Sequence, residues 1–268
     1  MIVFVVYGPG AKGKFVTEIC DLARMAENAL GEIRPHPSSG RAIWMGYVID
    51  ELLAAGFKYG DTHGFHPEAE HYKFYVDTVI AALNKSDLQE PTVDVHYTRK
   101  DTIEYMLAKG AKVIRIVVAD DEAARMAHND FFYKNFIANY ENDIEDIGRF
   151  SRMILEQQVK FESPEQKDHL MTTVYSKPLK EWGKEHIRTL YNACAGFTGQ
   201  RQEPGIIQHK NLLEINVKDI LDFNTIAVIA NFAGGKLNSY VLQRCSDYKK
   251  EQEKITSFDD YIDKFLNS

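Results

Sequence analysis

The fold is decided by the first fifteen residues, where IVFVVY at residues 2–7 is followed directly by GPGAKGKF at residues 8–15. The first segment is a run of β-branched and aromatic residues, which is typical of a strand buried on both faces of a parallel sheet. Apolar residues then recur at helical spacing from Lys14 to Leu30. The sequence therefore predicts a buried strand, a glycine-rich loop and a helix in immediate succession.

The rest of the chain repeats this alternation of strand and helix. Short apolar runs follow Pro91 (TVDVHYT), cover Lys112 to Asp120 (KVIRIVVAD) and cover residues 211–217 (NLLEINV), with helical patterns between them. We therefore expect an α/β protein of three layers, with a central parallel sheet between helices. The 268 residues suit a single domain, and helical patterns at about residues 140–205 predict an insertion or lid.

Charge and composition restrict the function classes. The formal net charge is −7, so the protein as a whole does not attract nucleic acid, and a polyanion would have to meet a local basic patch. The three cysteines lie far apart in the sequence, which predicts packing residues in a reducing compartment. The first apolar run is far shorter than the roughly 20 residues of a membrane span. We expect a cytoplasmic protein without a membrane partner.

The loop after the first strand has the pattern G-x-x-x-x-G-K, which builds a cradle for an anion. Its three glycines allow successive N–H groups to face inward, and the following helix adds the positive end of its dipole. Lys14 would reach the terminal group of the ligand as a point charge. The sequence thus predicts a nucleotide phosphate held by Gly8, Gly10, Ala11, Lys12, Gly13, Lys14 and Phe15.

Phe15 departs from this pattern, because Ser or Thr usually stands there and places a hydroxyl on magnesium. An aromatic ring has no oxygen for a hard cation. Magnesium would then be held weakly by the nucleotide, by waters and by other oxygens, for which Asp61 and Thr17 are the candidates, or it would be absent. For the ring of Phe15 itself we expect packing beneath the loop.

A second group of polar residues is DTHGFHPEAEH at residues 61–71. Asp61 and His63 are candidates for the base that accepts the proton of an acceptor hydroxyl. The three histidines His63, His66 and His71 could instead ligate zinc, although no cysteine accompanies them. Solvated surface histidines are the third interpretation, and the sequence does not decide among the three.

Cations at two further places could contact a ligand. His96 and Arg99 follow a predicted strand, at the carboxyl edge where open α/β sheets bind ligands, and could meet the acceptor or a phosphate. Arg125 and Lys134 lie on the helix predicted from Glu122 to about residue 160 and could cover the nucleotide. A surface histidine, a solvated arginine and a charged helix face explain these four residues equally well.

Two other features of this region have structural interpretations. Arg115 lies within a predicted buried strand, so an ion pair is expected if it points inward. The aromatic run FFYKNF at residues 131–136 could stack a base, but aromatic residues at helical spacing more often form a core.

The opening loop resembles that of the P-loop kinase and sulfotransferase superfamily. GPGAKGKF is similar to the G-x-x-x-x-[SG]-K-[WF] loops of phage-encoded sulfotransferase-like proteins, and DVHYTRKD, GAKVIRIVVADDEAARMAHNDFFYKNF and LLEINVKDILDFNTIAVIANFAGG resemble later parts of the sulfotransferase fold. Ala119-Asp120-Asp121 stands where that family has Arg-Asp-Pro. The resemblance implies a three-layer P-loop fold, in which Arg125 and Lys134 would bind the 3′ phosphate of a sulfotransferase cofactor or serve as the lid cations of a kinase.

Three functions fit these features. The first is a kinase that moves a phosphoryl group from ATP or another nucleoside triphosphate to a hydroxyl of a nucleotide, a nucleoside or a modified DNA base, with Lys14, Asp61 and His63 as catalytic residues. The second is a sulfotransferase that uses phosphoadenosine phosphosulfate without a metal, and the third is a non-catalytic nucleotide-binding module. The phage resemblance implies DNA modification in a host cytoplasm, and the sequence does not identify the acceptor.

Overall fold

The computed structural model describes residues 1–24 except Pro9, 69–85, 92–95, 99–198 except Asn139, and 207–268 except Thr256, with the single positions Ala54 and Gly205. The predicted helix that ends at Gly56 lies outside the described residues. So does the polar segment 61–68.

Four described strands form one parallel sheet in the order β2-β1-β3-β4. They are β1 (Val3–Val6), β2 (Thr92–Val95), β3 (Lys112–Val117) and β4 (Leu212–Asn216). All four were predicted from their apolar runs, and the expected α/β class with a parallel sheet is confirmed. Because β1 lies between β2 and β3, its carboxyl end is a topological switch point, where open α/β sheets bind ligands.

The helices of the described segments are α1 (Gly13–Arg24), α2 (Ala69–Lys85), α3 (Lys100–Ala108), α4 (Asp121–Phe132), α5 (Ile144–Gln158), α6 (Pro164–Thr173), α7 (Lys184–Thr198), α8 (Phe223–Phe232), α9 (Ser239–Glu253) and α10 (Phe258–Asn267). A π-helical turn, Tyr133–Ile137, continues α4. Single 3-10 turns lie at Tyr140–Asn142, Leu179–Glu181 and Asp219–Leu221. In the part of the chain described, every helix is too short or too polar to cross a membrane.

Two apolar clusters cover the two faces of the sheet. Val3 and Val5 of β1 belong to a cluster with α1, α8 and α9, whereas Phe4 and Val6 belong to one with α2 and α3. Successive side chains of a strand point to opposite faces, so this division places the sheet between two helical layers.

A third apolar cluster contains no residue of the described strands and includes residues of α5, α7 and α10. Most of the predicted insertion at 140–205 belongs here, since residues 140–198 form α5, α6, α7 and short turns. Phe132 and Phe136 of the aromatic run are fully buried in this cluster. Their role is therefore core packing, which the sequence analysis favoured over base stacking.

The prediction of a single helix from Glu122 to about residue 160 is wrong. The chain passes from α4 into the π-helical turn, and α5 starts only after Asp143, whose side chain accepts a hydrogen bond from the N–H of Asp146 (3.3 Å). Asn and Asp favour helix caps over helix interiors because their side chains compete for backbone hydrogen bonds. Asp143 thus begins a new helix after the 3-10 turn that ends at Asn142.

Predictions about buried polar and sulfur groups are confirmed. The Arg115 guanidinium forms an ion pair with Glu214, with Nη1 and Oε1 2.6 Å apart. The three cysteines are free thiols, of which Cys20 and Cys194 are buried.

Candidate functional site

The glycine loop leaves the carboxyl end of β1, beside the ends of β2 and β3. The sign of φ alternates along it, because Gly10 (+78°) and Lys12 (+61°) have positive φ whereas Ala11 and Gly13 do not. Residues of alternating hand turn their N–H groups to one side and form an anion-binding concavity. The described part of the loop, from Gly10 to Gly13, therefore has a backbone geometry that suits an anion.

Unpaired N–H groups follow directly after this turn. Helix α1 begins at Gly13, and the first N–H groups of a helix have no intrahelical acceptor. Val16 donates to the carbonyl of Lys12 (3.2 Å), but within the described part of the chain the N–H groups of Gly13, Lys14 and Phe15 have no acceptor. These donors, at the positive end of the helix dipole, suit a phosphate or sulfate group.

Close packing explains why the loop needs glycine at two positions. A Cβ on Gly10 would overlap the backbone carbonyl of Ala127 in α4, and a Cβ on Gly13 would overlap the ring of Tyr7. The Tyr7 hydroxyl in turn donates to Asp94 Oδ2 in β2 (2.9 Å). The loop is therefore held against α4 directly and against β2 through Tyr7.

The two lysines of the loop have different surroundings. Lys14 is exposed and, among the described residues, makes no hydrogen bond or ion pair, so its ammonium is available to a ligand at the loop. The side chain of Lys12 is only 1% exposed and lies 3.8 Å from the Asp130 carboxylate, measured from Nζ to Oδ1. Burial lowers the pKa of Lys12 to about 8, although the negative charge of Asp130 opposes this shift.

Lys12 belongs to a cluster that we call the Lys12 network, formed by Lys12, Asp130, Lys134, Tyr248 and Gln252. The Lys12 ammonium donates to Gln252 Oε1, and Gln252 Nε2 donates to Asp130 Oδ1 (2.8 Å). Lys134 Nζ donates to Asp130 Oδ2 (3.0 Å) and to the Tyr248 hydroxyl (2.8 Å). Desolvation by burial raises the pKa of Tyr248. The network joins the loop to α4, the π-helical turn and α9.

Phe15 packs beneath the loop as predicted. Its ring is 2% exposed and stacks on Tyr248, with ring centroids 4.0 Å apart and 13° between the ring planes. The guanidinium of Arg244 lies over both rings, 5.6 Å and 5.1 Å from their centroids.

The placement of Thr17 does not support its predicted role as a magnesium ligand. Its hydroxyl donates to the carbonyl oxygen of Gly13 (3.0 Å), and the residue is 1% exposed. Magnesium keeps several waters and needs near-octahedral oxygen geometry, which such a buried hydroxyl does not serve. Neither Phe15 nor Thr17 therefore presents an oxygen to a metal at the loop.

A carboxylate that the sequence analysis missed lies next to the loop. Asp94 pairs in register with Val5 of β1 and is half-buried. Its hydrogen bond from Tyr7 places it beside the residue that covers Gly13. The only signal in the sequence is one acidic residue inside the apolar run TVDV.

The end of β3 holds a second carboxylate. Asp120 caps α4 by accepting a hydrogen bond from the N–H of Ala123 (2.9 Å), so the predicted helix start there is confirmed. Its other oxygen accepts from Lys218 Nζ (2.7 Å), and this hydrogen bond lowers the pKa of Asp120.

The described contacts do not bring the remaining predicted residues to the loop. Arg99 pairs with Asp101 (2.7 Å), and Arg125 is exposed on α4. In the described contacts, Lys134 is linked to the loop through the Lys12 network, so a nucleotide would have to compete there with Asp130. The candidates Asp61, His63, His66 and His96 lie outside the described residues, and the side chain of His71 is not described.

The function of the site is identified neither by a metal cluster among the described residues nor by a similar protein. Across the described ranges, no group of three or more His, Cys, Asp or Glu residues could hold a metal ion. No family model, curated protein or solved structure matches the chain. The assignment of the site therefore rests on the geometry of the loop.

Proposed function

We propose that this protein is a nucleotide-dependent group transferase whose loop, Gly8 to Lys14, holds the phosphates of the donor. The alternating φ signs from Gly10 to Gly13 are the observation that carries this proposal. A residue with a side chain in the left-handed region, such as Lys12, is strained by about 1–3 kcal/mol, and such strain clusters at ligand sites. Three N–H groups and the Lys14 ammonium, none of which has a partner within the described part of the chain, supply the donors that a phosphate needs.

A kinase acting with ATP or another nucleoside triphosphate is the first candidate. Lys14 would neutralise the charge that spreads over the equatorial oxygens of the transferred phosphoryl group. The acceptor would be a hydroxyl of a nucleotide, a nucleoside or a modified DNA base, with Asp61 or His63 as the base. Magnesium would be held weakly by the phosphates and waters, and Asp94, which pairs in register with Val5 of β1, is a described carboxylate beside the loop.

A sulfotransferase is the second candidate, and the surroundings of Phe15 and Thr17 favour it. A loop that offers no hydroxyl to magnesium suits a donor that reacts without a metal, such as phosphoadenosine phosphosulfate. Lys14 and the helix N–H groups would then stabilise the charge of the transferred sulfuryl group. Both candidates use the same loop and differ in their need for magnesium.

Calorimetric titration separates the candidates. ATP, ADP and 3′,5′-phosphoadenosine are each titrated into the protein with magnesium or with EDTA. The kinase proposal predicts ATP binding that strengthens with magnesium, followed by phosphoryl transfer. The sulfotransferase proposal predicts tight 3′,5′-phosphoadenosine binding that EDTA leaves unchanged.

The same titration with Lys14→Ala tests the site itself, and Lys210→Ala is the matched control because Lys210 is also exposed. Lys14→Ala should weaken nucleotide binding by about 1.5–3 kcal/mol, the usual contribution of a hydrogen bond to a charged group. Tight binding without transfer to any acceptor would identify a non-catalytic module. Absence of binding for all three nucleotides would refute the proposal.

A further inference from the structure

The most strained residue of the loop is also the one that is tied to a distant part of the chain. Lys12 has a φ of +61°, and its ammonium is hydrogen-bonded to Gln252, 240 positions away in sequence. We propose that Lys12 is a positioning residue, whose buried contacts with Asp130 and Gln252 hold the left-handed turn that shapes the anion cradle. This inference rests on the function proposed for the loop.

The turn needs such support because Lys12 is not glycine. A left-handed residue with a side chain is less stable than its right-handed form, and the αR form of residue 12 would abolish the alternation of φ. The contacts at the end of the side chain oppose this change, since the right-handed form would move the buried ammonium away from Asp130 and Gln252. A buried charge without its partners is strongly unfavourable.

Gln252 is suited to hold this arrangement because its amide has two roles at once. Its oxygen accepts from the Lys12 ammonium, and its nitrogen donates to Asp130 Oδ1 (2.8 Å). Asp130 also accepts from Lys134 (3.0 Å). The Asp130 carboxylate thus pairs with two ammonium groups, and Gln252 keeps that of Lys12 in place beside the loop.

A direct contact between Lys12 and the ligand is the competing interpretation. The side chain of Lys12 is 1% exposed and its ammonium is already engaged, whereas Lys14 is exposed and has no partner among the described residues. The geometry therefore gives the two lysines different roles: Lys14 contacts the anion, and Lys12 fixes the backbone that surrounds the anion.

Glycine at position 12 distinguishes the two interpretations. Glycine adopts positive φ as readily as negative φ, so Lys12→Gly keeps the turn accessible without an anchor. Lys12→Met keeps the apolar stem and the cost of a positive φ but removes the ammonium whose contacts oppose the right-handed form. If Lys12 touched the anion, both variants would lose the same contact and weaken binding alike.

The test is calorimetric titration of inorganic pyrophosphate into the full-length wild-type protein, Lys12→Met, Lys12→Gly and Gln252→Met. The anchoring role predicts that Lys12→Met weakens binding by about tenfold, which corresponds to loss of the 1–2 kcal/mol that holds the turn. Lys12→Gly should stay within about threefold of the wild type. Gln252→Met, which is remote in sequence, should weaken binding in the same direction as Lys12→Met.

Urea unfolding of the same variants separates this role from a general loss of stability. Lys12→Gly and Lys12→Met both remove the buried ion pair and should both lower the unfolding free energy, so stability alone cannot produce stronger binding by the glycine variant. Equal losses of pyrophosphate affinity in Lys12→Gly and Lys12→Met, or unchanged affinity in Lys12→Met and Gln252→Met, would overturn the inference. A wild-type protein that does not bind pyrophosphate would refute the proposed function of the loop, and this inference with it.

Discussion

Replacement of Gly10 by alanine should disrupt the loop more than its backbone angle alone requires. The φ of Gly10 is +78°, which is unfavourable for alanine by about 1–2 kcal/mol. The new Cβ would also lie 2.8 Å from the carbonyl carbon of Ala127, and closer still to its oxygen. Displacing this backbone is an overpacking effect of about 1–3 kcal/mol. The total loss of unfolding free energy should be about 2–5 kcal/mol.

Gly110→Ala is the matched control for this change. Gly110 has a φ of +81°, but nothing lies within 4 Å of the position of its Cβ, so only the penalty for the backbone angle applies. Urea unfolding of both variants therefore isolates the overlap with α4, and nucleotide titration should show weaker binding in Gly10→Ala alone. Equal destabilisation by the two variants, with unchanged nucleotide affinity, would refute the packing of the loop described here.

Three further predictions concern single side chains. Lys14→Ala should leave the unfolding free energy unchanged while it weakens nucleotide binding, and an equal loss in Lys210→Ala would contradict its role. Phe15→Ser removes a buried ring and should lower the unfolding free energy by about 3–5 kcal/mol, and magnesium titration in the presence of ATP shows whether the new hydroxyl holds the metal. Burial lowers the pKa of His128 to about 4, so the unfolded chain binds a proton between about pH 6.5 and pH 4 when the folded chain does not. The unfolding free energy should therefore decrease as the pH falls through this window, and His128→Gln should remove part of that decrease in urea unfolding followed from pH 7 to pH 4.

The strands and the loop could be predicted because their signals are local. A continuous apolar run predicts a buried parallel strand. The spacing of Gly8, Gly13 and Lys14 predicts the position of the turn and the start of the following helix. The same holds for Asp120, which lies three positions after the last residue of β3 and caps α4. Each of these features is decided by fewer than ten consecutive residues.

The Lys12 network could not be predicted, because its members are brought together only by the fold. Lys12 and Gln252 are 240 positions apart, and no spacing rule joins them. The left-handed conformation of Lys12 could not be predicted either, because the residue type lysine does not indicate a positive φ. Asp94 was missed because one acidic residue within an apolar strand is more often a solvent-facing residue than part of a site.

The break in the helix after Phe132 shows a different limit. Periodicity favoured one long helix, but Asp143 caps a new helix by accepting a hydrogen bond from the N–H of Asp146. The helical interiors of α4 and α5 could therefore be predicted. The boundary between them depends on the competition between side-chain and backbone hydrogen bonds, which periodicity does not describe.

A crystal structure with a non-hydrolysable ATP analogue, and a second one with 3′,5′-phosphoadenosine, would test the central claim most directly. We expect a phosphate of at least one of these ligands in the loop, with its oxygens about 2.7–3.2 Å from the N–H nitrogens of Gly13, Lys14 and Phe15. The Lys14 ammonium should contact the same group, and Lys12 should keep its contacts with Asp130 and Gln252. A nucleotide bound elsewhere on the protein, with the loop free of phosphate, would contradict the proposed function.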